Sequence, residues 1–395
     1  AGPGAASHIP PSYRKAGSFV YLTEAIRKVT DLALICSQRV NDPLIAESVL
    51  ASGAADLVSM NRAIMTGPEM PMKAREGRLE EIRHCIACNE CIARGRIGMP
   101  IACTMNAELG REQQMAIEKT DTPRHVLVVG GGPAGLEAAR VASLRGHRVT
   151  LYEKGDTLGG QPLIASQAPG REELDEVRRY YTYQMGLQEV DVHLNTEATS
   201  ETIEQEAPDA VVIATGSRAI LSGLTADDVP VVDVRTILSG EADIEPGQRV
   251  VLQAEDHHMQ GLTAADFLVE KGCEVQVLTE AVYAGSQIET GTLETLYQRL
   301  LTKGVTLTPL TTIKLIDGRT VVTENTISKA EARIQGVDMI VASYGNEASD
   351  ELYREVKSDA DSTSTTPALY LIGDASAPRR LMDAILDGAR VGRIL

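Results

Sequence analysis

The run HVLVVGGGPAGLEAARVASLRGHRVTLYEK, residues 125–154, reads as strand, glycine turn, helix and second strand. Gly130, Gly132 and Gly135 fill the pattern G-x-G-x-x-G, and Glu153 ends the second strand. Few folds accommodate that order. Gly130 permits a tight turn, Gly132 lets backbone approach a pyrophosphate, and Gly135 allows a helix to pack closely on a strand. The helix N-terminus then faces the phosphates. Glu153 is placed to accept from adenosine ribose hydroxyls. The segment is therefore expected to bind a dinucleotide or ADP in an α/β fold.

Four cysteines, Cys85, Cys88, Cys91 and Cys103, precede it with the spacing C-x2-C-x2-C-x11-C. Three thiolates at three-residue steps can surround a cluster corner by corner, and the fourth closes the site from beyond a short loop. The pattern fits a [4Fe–4S] cluster better than zinc, whose structural sites usually pair two separated C-x2-C knuckles. The remaining two, Cys36 and Cys273, sit in apolar runs and read as buried small hydrophobes. Six cysteines in 395 residues do not form a disulfide framework. A cluster and free thiols imply a reducing compartment, so a cytoplasmic location is expected. No apolar run approaches a membrane span in length. Lys+Arg 38 against Asp+Glu 55 gives a net charge of −17, which argues against nucleic acid and anionic membranes as partners. Aromatic residues are 3%, with no Trp, so an aromatic cage within this chain is not expected.

Upstream, helix and strand alternate without a glycine fingerprint. Helices are expected over 20–28, 42–52 and 67–77, and short strands over 32–37 and 55–60. Two such strands cannot form a stable layer alone. A polar helical stretch is expected from the last cysteine to Lys119, and TDTPR (120–124) reads as a linker. Downstream, LGGQ (158–161), AVVIATG (210–216) and LYLIGD (369–374) follow the fingerprint, the last before a helix over 379–393. Between them lies a second nucleotide-fold unit: strand QRVVLQ (248–253), turn AEDHHMQG, helix 261–271 and strand EVQVLT (274–279). Only Gly261 remains of a fingerprint there. Glu255 and Asp256 stand where a phosphate-binding turn should be, and carboxylates repel a pyrophosphate. NAD(P)H binding in this unit is not expected.

The motifs from 125 to the C-terminus resemble the two-dinucleotide-domain arrangement of glutathione-reductase-like flavoproteins. Preceded by the cysteine run, they resemble the trimethylamine dehydrogenase and 2,4-dienoyl-CoA reductase family, which carries an old-yellow-enzyme-like barrel at its N-terminus. PPSYRKAGSFVYLTEAIRK (10–28), LICSQRVNDP (34–43) and ADLVSMNRAIMTGPE (55–69) resemble the approach to barrel strand seven, strand seven with its phosphate loop, and strand eight. The resemblance implies the last two βα units of a TIM barrel in residues 1–80 and an iron–sulfur segment with linker in 81–122. It further implies an FAD- or ADP-binding domain in 123–230 and 365–395, and an inserted NAD(P)-like domain in 231–364. It implies FMN, with Arg39, Asn61 and Arg62 at its phosphate. It implies a [4Fe–4S] cluster on the four cysteines. FAD or ADP would be held by Gly130, Gly132, Pro133, Ala134, Gly135, Glu153, Lys154, Gly160, Gln161, Ala198, Thr215, Gly216 and Asp374. Barrel strands one to six and the family's substrate residues have no counterpart here. The chain is therefore expected to be the C-terminal part of a longer polypeptide or to pair with a subunit carrying them, and no catalytic residue is assigned.

The degraded second fingerprint and the stretches CIARGRIGMPIACTMNA and LIGDASAPRRLMDAILDGARVGR resemble the dehydrogenase branch. That branch implies N-demethylation of a methylated amine or amino acid at FMN, with electrons leaving through the cluster to an electron-transferring flavoprotein. Gly95 stands where trimethylamine dehydrogenase has a cage aromatic, which favours an amine held partly by a carboxylate. Two other readings remain: an NAD(P)H-dependent enoate or dienoyl-CoA-type reductase, and an electron-transfer subunit of a split enzyme. An oligomer is expected.

Overall fold

The computed structural model describes residues 9–360 and 367–395. Its contacts divide into two compact units. One contains 14–163, 173–217 and Ala348 onward; the other contains the described residues before Arg14, Ile164–Glu172 and Arg218–Glu347.

The first unit is built on a five-stranded parallel sheet in the order Ala368–Leu371, Ala210–Ile213, His125–Val129, Arg148–Tyr152, Asp191–His193. All five residues of the central strand are buried, as a parallel strand covered on both faces requires. The glycine turn leads from it into helix Pro133–Leu144. Helix Leu381–Ile394 packs on that helix at Gly388, where an added Cβ would lie 2.2 Å from the Ala134 carbonyl oxygen. Helix Glu351–Ala360 belongs with this sheet, since Leu352, Tyr353 and Val356 join the core of Leu127, Val211 and Ile213.

The same unit carries the segment before the fingerprint. Ile35–Cys36 and Leu57–Val58 pair in parallel, two residues each, with Ile35 opposite Leu57. Cys36 is fully buried among Val49, Ala54 and Ala55, whereas Ile35 and Leu57 are 60% and 56% exposed. Helices Val20–Arg27, Pro43–Ala51, Asn61–Thr66 and Met70–Arg75 flank the pair. From the end of helix Glu90–Arg96 to His125 there is neither helix nor strand, which corrects the helix expected up to Lys119. Asn106 accepts the Glu108 N–H in a local turn, and Gly110 takes φ +77°, so the backbone turns out of any helix there.

The second unit also carries a five-stranded parallel sheet. Its parallel strands run Thr306–Thr308, Glu274–Leu278, Arg249–Ala254, Met339–Ser343, Val231–Asp233, with helix Gln260–Glu270 after the central strand. An antiparallel sheet of Thr311–Asp317, Thr320–Asn325 and Glu331–Gln335 adds a third layer. Cys273 is buried in this unit's core. Among the described residues no helix is long and apolar enough to cross a membrane.

Candidate functional site

Cys85, Cys88, Cys91 and Cys103 line one pocket, together with Arg62, Thr66, Asn89 and Thr104. The chain turns sharply to bring them there: Ala87 and Asn89 both take positive φ, +47° and +60°. Cys91 sits in the first turn of helix Glu90–Arg96. Asn41 Nδ2 donates to the Cys85 carbonyl at 2.8 Å, tying the loop to the segment after Ile35–Cys36. Arg62 donates to Asn89 Oδ1 at 2.6 Å. Arg380, beginning the last helix, pairs with Glu90 at 3.0 Å.

All four thiols are free. Each is partly accessible because it faces the pocket, yet protein crowds Cys85, Cys88 and Cys91 closely enough that burial dominates their ionisation. Burial pushes Cys88 up to about 12 and Cys91 up to about 11, and raises Cys85, against a lowering by Arg62 at Cys85 and Cys91. Such thiols become thiolates when a cationic centre binds them. Among the described residues no three His, Cys, Asp or Glu side chains converge on a single ion. In a tetrahedral zinc site, with Zn–S about 2.3 Å, the sulfurs would be about 3.8 Å apart. That convergence on one ion is not present among the described residues, while all four cysteines line the same pocket.

In the same unit the glycine turn is set by sterics. Gly130 has φ +108°, and a Cβ there would lie 2.3 Å from the Ala214 carbonyl oxygen; one on Gly135 would lie 2.0 Å from the Gly130 oxygen. Above Gly132, at the helix N-cap, there is nothing within 4 Å of an added Cβ. That open approach to a helix N-terminus, with Pro133 and Ala134 in its first turn, is a fit for an anion. Glu153 accepts from the Gly131 N–H and the Gly155 N–H, both at 2.7 Å, so it braces the turn that the sequence assigned it to serve from across the ligand. Lys154 is exposed beside it, and Ala198 is buried in the segment that follows the Thr196 N–H to Glu153 bond. Gly160 abuts Gly132, 3.1 Å from its Cα to an added Cβ.

Three motifs distant in sequence meet nearby. Gln161 Nε2 donates to Asp374 Oδ2 at 3.0 Å and to Ser217 Oγ at 3.1 Å, and Ser217 Oγ donates to the same Asp374 oxygen at 3.0 Å. Thr215 donates to the Ser349 carbonyl, and Gly216 accepts from the Ser349 N–H. Ser217 was not among the sequence candidates; its position directly after the ATG turn is the signal that could have found it.

The second unit's corresponding turn is filled by its own acid. Asp256 Oδ2 accepts the N–H groups of His258 (3.1 Å) and Gln260 (3.0 Å). Its Oδ1 accepts the Gly261 N–H (3.1 Å) and the Ser343 hydroxyl (3.0 Å). These are the donors a pyrophosphate would use. Burial raises the Glu255 carboxyl, whose Oε1 accepts the Glu280 N–H at 2.8 Å.

Arg39, Asn61 and Arg62 follow the two short strands but have different partners. Arg39 is buried, donates to the Arg14 carbonyl at 2.7 Å and pairs with Glu173. Arg62 belongs to the cysteine pocket, and Asn61 is exposed at the start of its helix. Thr66 and Thr104, whose hydroxyls touch cysteine sulfurs, were not read from sequence.

Residues 124–388 match the family model described as pyridine nucleotide-disulphide oxidoreductase. The chain is 33% identical to the N,N-dimethylglycine/sarcosine dehydrogenase of Chromohalobacter salexigens, over 94% of this chain and 59% of that protein. A 2-naphthoyl-CoA reductase structure superposes with a TM-score of 0.88 at 30% identity, covering 100% of this chain and 58% of that one. The histamine dehydrogenase structure from Rhizobium sp. 4-9 gives 0.91 at 26% identity, covering 98% and 59%. The chain thus spans about three fifths of the length of the relatives it matches. Its twin sheets, its open glycine turn and these likenesses agree: the chain belongs to the pyridine nucleotide-disulphide oxidoreductase family, within the trimethylamine dehydrogenase and 2,4-dienoyl-CoA reductase group.

Proposed function

We propose that the whole protein is an iron–sulfur flavoprotein oxidoreductase that N-demethylates a methylated amine or amino acid and passes the electrons to an electron-transferring flavoprotein or similar carrier. The observation that carries the choice is Asp256. It takes three backbone N–H groups at the start of helix Gln260–Glu270, so a pyridine nucleotide would have to displace a built-in anion. An electron donor other than NAD(P)H is then needed, and the likeness to a dimethylglycine/sarcosine dehydrogenase supports an amine.

When bound, flavin supplies hydride acceptance and a [4Fe–4S] cluster supplies single-electron transfer. The chain's own residues prepare the places for them. Cys85, Cys88, Cys91 and Cys103 would ligate the cluster, and Arg62 would offset its negative charge. The turn Gly130–Gly135 would take the pyrophosphate of FAD or ADP, with Glu153, Lys154 and Ala198 on the adenosine side. Gln161, Thr215, Gly216 and Asp374 would face the flavin side. Asn61 and Arg62 would reach an FMN phosphate. Arg39 would do so only while sharing its guanidinium with Glu173.

The domain reading goes with this. Residues 1–80 would complete a (β/α)8 barrel and 81–122 would carry the cluster. The FAD or ADP domain would comprise 123–230 and 365–395, with the degraded NAD(P)-like domain in 231–364. Supporting the barrel, Ile35–Cys36 and Leu57–Val58 pair in parallel with no third strand among the described residues, and Ile35 and Leu57 are exposed. A parallel pair this short needs neighbours. No catalytic acid or base is assigned in this chain.

The reductase reading has its own support: the Gln161–Ser217–Asp374 cluster suits a full FAD, and the 2-naphthoyl-CoA reductase is a close structural match. Anaerobic mixing of the full-length protein separates the two. Dimethylglycine or sarcosine should bleach the flavin absorbance while NADH and NADPH leave it unchanged on the same timescale. Fast bleaching by NADH or NADPH would sink the dehydrogenase proposal.

A further inference from the structure

Thr104 follows the fourth cysteine directly, and its hydroxyl reaches across the pocket to the second. Its Oγ1 lies 3.2 Å from Cys88 Sγ. Thr66, ending helix Asn61–Thr66, makes a parallel contact, with Oγ1 3.4 Å from Cys103 Sγ. Both threonines are almost wholly buried, at 3% and 1% exposure, so water does not compete for these hydroxyls. Between a free thiol and a hydroxyl either partner can donate. A cysteine that ligates a metal has lost its proton, so the hydroxyl must then be the donor.

The two threonines differ in where their single proton can go. Thr66 Oγ1 is also 2.9 Å from the Arg62 carbonyl, one turn back, which competes for it. Among the described residues the Thr104 hydroxyl meets no acceptor besides Cys88 Sγ. A backbone N–H from Glu90 also reaches Cys88, and it remains whatever stands at 104.

We infer that Thr104 is a positioning residue that tunes the cluster, its hydroxyl donating to the Cys88 ligand, with Thr66 doing the same more weakly for Cys103. This rests on the iron–sulfur reading above. A hydrogen bond to a ligating sulfur stabilises the more negative, reduced state, so it raises the reduction potential. Nothing in the spacing of the cysteines indicates this; it comes from the loop that returns Thr104 to the far side of the pocket.

The test uses the full-length protein purified anaerobically, with iron analysis and a redox titration of the cluster by electron paramagnetic resonance. The variants are T104V, T104A, T104S and T66V. T104V and T104A should keep four irons per chain and shift the midpoint potential negative. T104S should titrate like the wild type, and T66V should move in the same direction by less. Wild-type potential in T104V and T104A with full iron would overturn the tuning role while leaving the cluster in place. Loss of iron in both, with retention in T104S, would assign the hydroxyl to holding the ligand and also overturn it. Absence of iron and acid-labile sulfide from the wild type would overturn the iron–sulfur reading itself.

Discussion

The two parallel sheets share four strands in the same order and direction, with a helix after the central strand, and differ in the fifth: the last strand of its sheet in the chain, Ala368–Leu371, in one and the first, Val231–Asp233, in the other. Yet the turns that launch those helices have opposite electrostatics. After His125–Val129 the turn is three glycines, and the helix N-terminus above Gly132 is open. After Arg249–Ala254 the turn carries Glu255 and Asp256, and one Asp256 carboxylate accepts three backbone N–H groups and a hydroxyl. Every helix start has unsatisfied N–H donors and a partial positive charge. One fold leaves them to a ligand, and the other satisfies them from within. A shared fold therefore does not carry a shared site; the residues of the turn decide it.

The largest effect is expected from closing the open turn. In G135V the new side chain must enter the space of the Gly130 carbonyl, 2.0 Å from the first added carbon. The helix cannot stay seated on the strand, so the loss should be on the order of 4 kcal/mol or more. G261V in the second fold meets Ala254 Cβ at 2.9 Å, a milder contact. Flavin content and thermal denaturation should both fall much further in G135V. Equal losses would mean that the two glycines carry the same packing burden.

The helices also differ in what they bury. Helix Pro133–Leu144 holds Glu137 and Arg140 in a paired hydrogen bond at 2.7 and 2.8 Å, with Glu137 1% exposed. Helix Gln260–Glu270 instead sends Asp266 to Arg299 and Lys303, each at 2.8 Å. Burial alone would raise the Glu137 carboxyl, but the charge and hydrogen bonds of Arg140 bring it below the ordinary glutamate value of 4.5. A depressed carboxyl contributes stability above the unfolded value and loses it as pH falls through the folded one. E137Q should thus cost about 3 kcal/mol at neutral pH, since Arg140 is left buried and unpaired. Its urea midpoint should then change less than the wild type's when pH drops below 4.5. A parallel acid response in the two proteins would remove Glu137 from the ledger.

What the sequence revealed and what it hid follow from range. The glycine fingerprint and the cysteine quartet were legible because each is confined to a short stretch of chain, Gly130–Gly135 and Cys85–Cys103, and depends on local backbone geometry. The helix expected before Lys119 failed on equally local grounds, a side-chain turn at Asn106 and a left-handed Gly110, which composition alone does not weigh correctly. Other features needed the folded chain. Arg39 finds Glu173, 134 positions away, and Ser217 finds Asp374, 157 away. Glu255 and Asp256 were readable as repulsive to phosphate. That Asp256 would take over the helix N-terminus, joined by Ser343 from another strand, was not.

The smallest expected effect is the one that tests why the second turn is closed. D256A removes the acceptor for the His258, Gln260 and Gly261 N–H groups and leaves the Ser343 hydroxyl without that partner. Losing an N-terminal cap of this kind costs about 1–2 kcal/mol, and D256N, which keeps an oxygen acceptor, should cost less than about half of that. Inorganic pyrophosphate then reads the site directly. If the carboxylate is what excludes an anion, pyrophosphate should raise the melting temperature of flavin-loaded D256A and leave the wild type unmoved. D256N should lie near the wild type, because its side chain still occupies the donors. If D256A does not respond, the obstruction is the bulk of the turn, which runs from Ala254 to Gln260 where the first runs only from Val129 to Pro133, and which holds His257 at φ +54°. The contrast between the two folds would then be one of shape, and removing charge alone would never return the second to nucleotide binding.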